Sequence, residues 1–357
     1  MLYFLMPIGE RYGWGICGRY LLREFLELTD VRYIRTEEFE RGLFDPMYQH
    51  WLDTLDSGYP ENGDSPIIQC IQDVKFEMGC PLGKPNVGYT FIELPNMATE
   101  SIEKAKRFDI MVAGSTWCGE VLDACGVPNT PIIQGVDKEL FYPRSKQLFK
   151  DYFVVYSGGK FEYRKGQDIV IAAYKVLQQR HKDVMLMCNW YNLWPATMRT
   201  MEESGHIRYR FNPNETFEDA MRNIFFHGDI DLGRVVFDMP KPHSVMPEIY
   251  RNTDVGLFPN RCEGGTNLVL MEYMAMGKRT IASHSTGHKD LVGYQPIRCH
   301  KNVDIMYEHG LQTWPDPDLE ETIELLEWAY QTRDEELGDV PLLPTWTDVA
   351  KKFLELI

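Results

Sequence analysis

Residues 258–283 constrain this chain more than any other stretch. They read Phe258-Pro-Asn-Arg-Cys-Glu-Gly-Gly-Thr-Asn-Leu-Val-Leu-Met-Glu-Tyr-Met-Ala-Met-Gly-Lys-Arg-Thr-Ile-Ala-Ser283. The run 253–258 is short, apolar at its end and closed by Pro259, the pattern of a buried parallel strand. Residues 268–276 are strong helix formers, and Gly277 stops them. Thr280 then opens another strand. A strand, helix and strand in that order call for a parallel sheet with helices on its faces, an α/β fold. Between the first strand and the helix lie Glu263, Gly264, Gly265, Thr266 and Asn267, with Leu268 opening the helix. Its unpaired N–H groups and partial positive charge face this loop, a seat for phosphate or sugar oxygens. Glu263 and Glu272 bracket the seat with two carboxylates, which hold vicinal hydroxyls without a metal. A capped helix with two solvated carboxylates is the plainer alternative.

A chain of 357 residues has room for two domains, each with its own core. Its formal net charge of −16 opposes general nucleic-acid binding and broad attraction to anionic membranes, while allowing a local basic pocket. Residues 1–7 are apolar but carry no basic segment, so they read as a first strand and not as a signal peptide. No apolar run approaches the ~18 residues that span a bilayer. The eight cysteines form no Cys-x-x-Cys and no Cys/His cluster at zinc spacing. They read as reduced thiols of a cytoplasmic protein, and no metal site is expected.

After a strand over 1–8, Gly13-Trp-Gly-Ile-Cys-Gly18 matches Gly-x-Gly-x-x-Gly, and 19–28 has helical spacing. A second strand at 31–34 and Glu37 follow, where a dinucleotide fold keeps its ribose-binding acid. This supports an NAD(P)-dependent enzyme using the Gly13, Gly15 and Gly18 loop. Against it, Gly9-Glu-Arg-Tyr12 separates the strand from the first glycine. Residues 40–65 read as loop, and strands and helices then alternate to about residue 134. A polar linker at 144–150 precedes a fresh start: a strand at 152–156, a turn, a helix at 168–180 and a strand at 184–188. The turn carries Gly159, Lys160, Arg164, Lys165 and Gly166. Its glycines let backbone approach a ligand and its cations neutralise charge, which suits a diphosphate. Solvated surface lysines are the alternative. The aromatic loop 189–194 fits either a pocket lining or plain packing. Amphipathic helices are expected at 319–330 and 346–357.

The order Gly-Val-Asp137, Gly-Lys160…Lys165-Gly, Glu263…Glu272-Tyr-Met-Ala-x-Gly, each at a strand–helix junction, resembles glycosyltransferase family 4, the retaining nucleotide-sugar glycosyltransferases. In that family the first Glu meets the donor sugar and the second the nucleotide ribose. The family separates them by seven residues; here eight intervene, so the turn carries one extra. The family's Gly-Arg, four residues, Lys-Gly is kept with Lys160 for Arg, which retains the charge and loses the bidentate fork. Residues 224–227 with Gly228 and Asp229 resemble the strand and turn whose backbone reads the base. The glycine loop would face donor phosphates and acceptor across the cleft, with Trp14 as a stacking surface. Ser115, Trp117 and Asp137 are structural in this comparison. Many relatives place a His of the first domain near the reacting sugar; here only His50 precedes residue 181. Glu93 is the candidate in its place, and as a general base it would need burial.

The resemblance implies two doubly wound, Rossmann-like domains facing a cleft, the GT-B arrangement. Residues 1–145 form the acceptor side and 146–345 the donor side, and helix 346–357 crosses back. It implies metal-independent transfer, with retention, from a UDP- or GDP-linked sugar to a glycan or other hydroxyl acceptor, in polysaccharide biosynthesis, with no further cofactor. Glu263, Lys165, Lys160 and Glu93 are the candidates for chemistry. Gly159, Arg164, Gly264, Gly265, Thr266, Asn267, Leu268, Glu272, Gly228 and Asp229 are those for the donor, and Gly13, Trp14, Gly15 and Gly18 line the acceptor side. A catalytically inactive relative that binds sugar nucleotide stands beside the NAD(P) enzyme as an alternative. The acidic balance favours a soluble acceptor or weak membrane association.

Overall fold

The computed structural model describes residues 1–35, 44–58, 63–71, 83–238, 241–307 and 310–357; Glu37 lies outside them. The apolar runs of the first part pair as a six-stranded parallel sheet: β1 (Leu2–Leu5), β2 (Val31–Tyr33), β3 (Ile67–Ile71), β4 (Asn86–Thr90), β5 (Ile110–Ala113) and β6 (Asn129–Pro131), in the order β2-β1-β3-β4-β5-β6. A second parallel sheet follows: β7 (Phe153–Lys160), β8 (Val184–Tyr191), β9 (Val235–Phe237), β10 (Val255–Phe258), β11 (Arg279–Ser283) and β12 (Gln295–Ile297), in the order β12-β11-β10-β7-β8-β9. The order reverses between β7 and β10, so the loops leaving those strands diverge and open a crevice at their carboxyl ends. A hairpin of β13 (Lys301–Tyr307) and β14 (Gly310–Asp316) is antiparallel.

The helices follow from caps and apolar stripes. α1 (Gly13–Leu28) buries Leu21, Leu22 and Phe25 on the first sheet. Ser115 starts α4 (Thr116–Ala124) by accepting the Cys118 N–H. In the second domain α5 (Gln167–Arg180) buries Val170, Ile171, Ala173 and Tyr174. α8 (Leu268–Ala275) is buried almost all round. Beneath it Tyr273 stacks on Tyr156, with centroids 5.3 Å apart and planes 9° apart, and bonds the Thr253 hydroxyl at 2.7 Å. Gly256 leaves room for that ring; a Cβ there would lie 2.6 Å from it.

α10 (Trp346–Leu354), opened by a Thr345/Asp348 capping box, returns to the first domain. Trp346 stacks on Tyr20 at 5.5 Å, and Phe353 meets Phe25 and Tyr89. No helix among the described residues is long and apolar enough to cross a membrane.

Three expectations change. α1 begins at Gly13, so all three glycines lie inside the helix. Residues 46–55, read as loop, form α2 (Pro46–Leu55), capped by Asp45 with Pro46 in its first turn. Residues 224–227 are not a strand but the last turn of α6 (Phe217–His227), which buries Ala220, Met221, Ile224 and Phe225 at helical spacing. The strand in that part of the sheet is β9.

Candidate active site

The turn from β7 to α5 supplies the cations. Gly159 (φ 113°) and Gly166 (φ 71°) take left-handed conformations, and a Cβ on Gly166 would sit 1.9 Å from the Pro259 carbonyl oxygen. The turn can therefore close on the end of β10. Each cation meets a carboxylate. Lys160 pairs with Glu162 at 3.1 Å, Arg164 with Glu162 at 2.5 Å and Glu93 at 2.8 Å, and Lys165 with Glu263 at 2.5 Å. Burial pushes the Glu263 and Glu162 carboxyls up, yet their cations outweigh it. Lys165 and Arg164 at Glu263, and Arg164 and Lys160 at Glu162, leave both below the usual range. Burial likewise acts against the charge of Arg164, and its three carboxylates hold it above the ordinary value.

The turn from β10 to α8 carries the carboxylates. Arg261, 1% exposed, forks onto Asp168 at 2.8 and 2.9 Å, bonds Asp316 at 2.8 Å and lies 3.8 Å over the Tyr163 ring. That fixes the loop holding Glu263 to the start of α5. The turn bends sharply at Asn267 (φ 64°), which also caps α8. His288 is buried beside it; its Nε2 takes the Asn267 amide at 3.2 Å, and burial lowers its pKa to about 4, so the ring is neutral. Glu272 accepts from His243 Nε2 at 2.6 Å and from the Tyr250 hydroxyl at 3.2 Å. The main-chain N–H of His243 donates to Glu10 at 3.1 Å, and its ring meets the Tyr20 hydroxyl at 3.2 Å. One histidine thus joins Glu272 to two elements of the first domain.

These loops face a cleft of about 440 Å³, within the usual range for ligand sites. Of the candidates on the second domain, Gly159, Lys160, Arg164, Lys165, Glu263, Gly265, Asn267, Leu268 and Glu272 line it; Gly13, Trp14 and Glu93 line it from the first. Trp14 rests edge-on against Phe91 at 4.5 Å. Glu10, Arg11, Lys241, His243 and Tyr250 also line the cleft and were not candidates from the sequence, while Asn189 and Tyr191 take the pocket-lining alternative left open for 189–194. The strand-like Val235-Val-Phe before the proline-rich Asp238-Met-Pro-Lys-Pro242 is the signal that points to Lys241 and His243. The loop 189–194 gains a place: Trp194 covers Lys160 at 5.4 Å and meets Tyr12 of the first domain at 6.2 Å.

The remaining candidates are corrected. A Cβ on Gly15 would lie 2.6 Å from Gly9 Cα, and one on Gly18 2.1 Å from the Pro7 carbonyl oxygen; these glycines pack α1 against the chain before it. The dinucleotide reading lacks its tight turn, because residues 6–12 separate β1 from Gly13, which already opens α1. Gly264 lies against the Phe91–Ile92 backbone, where a Cβ would come within 2.5 Å, and its carbonyl accepts from Ser115 at 2.8 Å. It serves the contact between domains. Thr266 is fully buried and donates to the Met271 sulfur. Gly228 and Asp229 end α6 away from the cleft, and Asp229 is exposed opposite Lys175.

Two doubly wound domains across a cleft, joined again by a final helix, make up the GT-B architecture of nucleotide-sugar glycosyltransferases. Residues 214–311 match the family model described as glycosyl transferases group 1. No curated protein sequence matches the chain. Among solved structures it is similar to sucrose-phosphate synthase from Thermosynechococcus elongatus, with TM-score 0.67 and 13% identity over 99% of this chain and 97% of that one. It is similar to HepE of Anabaena in complex with UDP and glucose, with TM-score 0.61 and 12% identity over 99% and 98%. It is also similar to the E. coli trehalose-6-phosphate structure bound with UDP-2-fluoro glucose, with TM-score 0.62 and 14% identity over 99% and 98%. At these identities the likeness is one of fold.

Proposed function

We propose that the chain is a retaining glycosyltransferase of the family 4 type, moving a sugar from a UDP- or GDP-linked donor to a glycan or other hydroxyl acceptor. One observation carries this reading. At the β7/β10 reversal, three cations line a cleft shared by both domains and pair with the buried Glu162 and Glu263 and with Glu93. UDP and UDP-2-fluoro glucose in two of the similar structures support a nucleotide-linked donor.

In this scheme Glu272 holds the ribose hydroxyls and Glu263 those of the donor sugar, while Lys160, Arg164 and Lys165 face the diphosphate. As the bond from the sugar to the diphosphate lengthens, negative charge grows on the departing oxygen. The cations then bind the transition state more strongly than the ground state, and no metal ion is needed for that charge. Retention places the acceptor on the face the diphosphate leaves, where its oxygen is a base for the acceptor proton. In this reading Glu93 and Trp14, which line the cleft from the first domain, meet acceptor or sugar.

Glu272→Ala tests the assignment. Loss of a charge-assisted hydrogen bond, worth about 1.5–3 kcal/mol, should weaken donor binding by roughly ten- to a hundredfold in calorimetry. Unchanged nucleotide affinity in a folded variant would remove Glu272 from the ribose.

A further inference from the structure

At the amino ends of β10 and β11, opposite the cleft, lies a second cavity of about 370 Å³. Arg144, Lys278, Arg279 and Arg333 line it with only two carboxylates, Asp254 and Glu335, in a chain of formal charge −16. Arg144 pairs with Glu248 at 2.8 Å, whereas backbone carbonyls hold the other three cations in place without cancelling their charge. Lys278 donates to the carbonyls of Arg251 and Thr253 at 2.9 and 2.8 Å. Arg279 donates to Ala329 and Thr332 at 2.9 and 2.8 Å, and Arg333 to Tyr330 at 2.8 Å. Asp254 is already engaged by Lys146 at 2.5 Å.

Two further observations point to a ligand. Arg279 is only 8% exposed, and its Nε–H is buried with no hydrogen bond; the Nε–H of Arg144 is in the same state. A buried donor of this kind calls for an acceptor. The Lys278 ammonium is lowered to about 8, by burial above all, with Lys146 and Arg251 adding to the effect and Asp254 opposing it.

The cavity also sits where the chain passes between domains. Pro143, Arg144 and Ser145 belong to the outgoing linker, and Arg333, Glu335 and Leu337 to the segment that returns to α10. Gly277 (φ 67°) brings the two together: a Cβ on it would meet Pro143 at 3.2 Å and Val340 at 3.3 Å.

We propose that this hinge cavity binds a small phosphate-bearing anion, which ties the two interdomain crossings to the base of the second sheet. The proposal does not depend on what the cleft binds.

Hydrogen–deuterium exchange on the full chain, titrated separately with inorganic phosphate and with glycerol 3-phosphate, tests it. Saturable protection of segments 143–149 and 333–341 is expected with at least one of the two. The tighter ligand shows whether free phosphate or an ester is preferred. Arg333→Glu, at an exposed position, and Lys278→Met should each raise the half-saturating concentration by about tenfold or more, about 1.4 kcal/mol. Protection at 159–166 reports the cleft separately, so the two sites are distinguishable. No protection at the hinge segments, or equal protection in both variants, would overturn the proposal and leave an adventitious ion only.

Discussion

Lys165→Ala is expected to lower kcat by roughly 10²–10³-fold, the loss typical when one preorganised charge-stabilising group is removed, with a much smaller rise in donor KM. Lys165 lines the cleft and lies 2.5 Å from Glu263. On the proposed reading it stands at the turn where a diphosphate leaves and would meet a charge that grows during reaction. The fold should survive the change. Glu263 keeps its contacts with Asn260 and, at 3.6 Å, with Arg164. Lys165→Arg should recover part of the rate, since the charge remains. Steady-state kinetics with donor and acceptor varied separately checks this. An effect confined to acceptor KM would remove Lys165 from the diphosphate and leave it only a partner of Glu263.

Arg261→Met should be the most destabilising substitution near the site, by about 3–5 kcal/mol, the usual result of breaking a buried pair by removing one partner. Asp168 is fully buried and would lose both bonds of the guanidinium fork. The double variant Arg261→Met/Asp168→Leu should recover much of the loss, because the fully buried charge is gone and Asp316, the other partner of Arg261, reaches solvent. pH gives a second signature. Burial raises the Asp168 carboxyl, but Arg261, with a bond from Ser204, brings it below its ordinary value. With the folded value depressed, the pair's contribution is complete above the unfolded value of about 3.9 and is lost as pH falls through the folded one. Arg261→Met should therefore be most damaging near neutral pH and least damaging in acid. Thermal melts carried from neutral pH to about pH 2, below the unfolded value, would show it; a deficit that does not shrink in acid would contradict the role given to the pair.

The parts of the fold that could be read in the sequence are those written locally. A strand closed by Pro259, a helix stopped by Gly277 and a further strand specify a parallel unit, and β10, α8 and β11 form it. The cations of 160–165 were legible because a glycine-rich turn with three of them sits between a strand and a helix. The amphipathic pattern of the last helix was equally local.

What escaped depends on partners far away in the chain. Gly15 and Gly264 look like ligand-binding glycines, yet each is small because another backbone segment lies against it. A sequence cannot tell those two causes apart. Ile224-Phe-Phe looks like a strand when read alone; with Ala220 and Met221 it is the buried stripe of α6. His243 meets Glu10 across 233 positions, and no local pattern announces that pair.

The most direct test of the central claim is the release of free UDP or GDP from a panel of UDP- and GDP-linked sugars, measured with and without candidate acceptors. The account predicts catalytic release from at least one donor, faster with a hydroxyl acceptor and greatly reduced in Lys165→Ala. Donor binding without any release would contradict transfer and leave a sugar-nucleotide-binding protein. No affinity for any of these donors, with tight binding of NAD(P), would contradict the whole reading of the cleft.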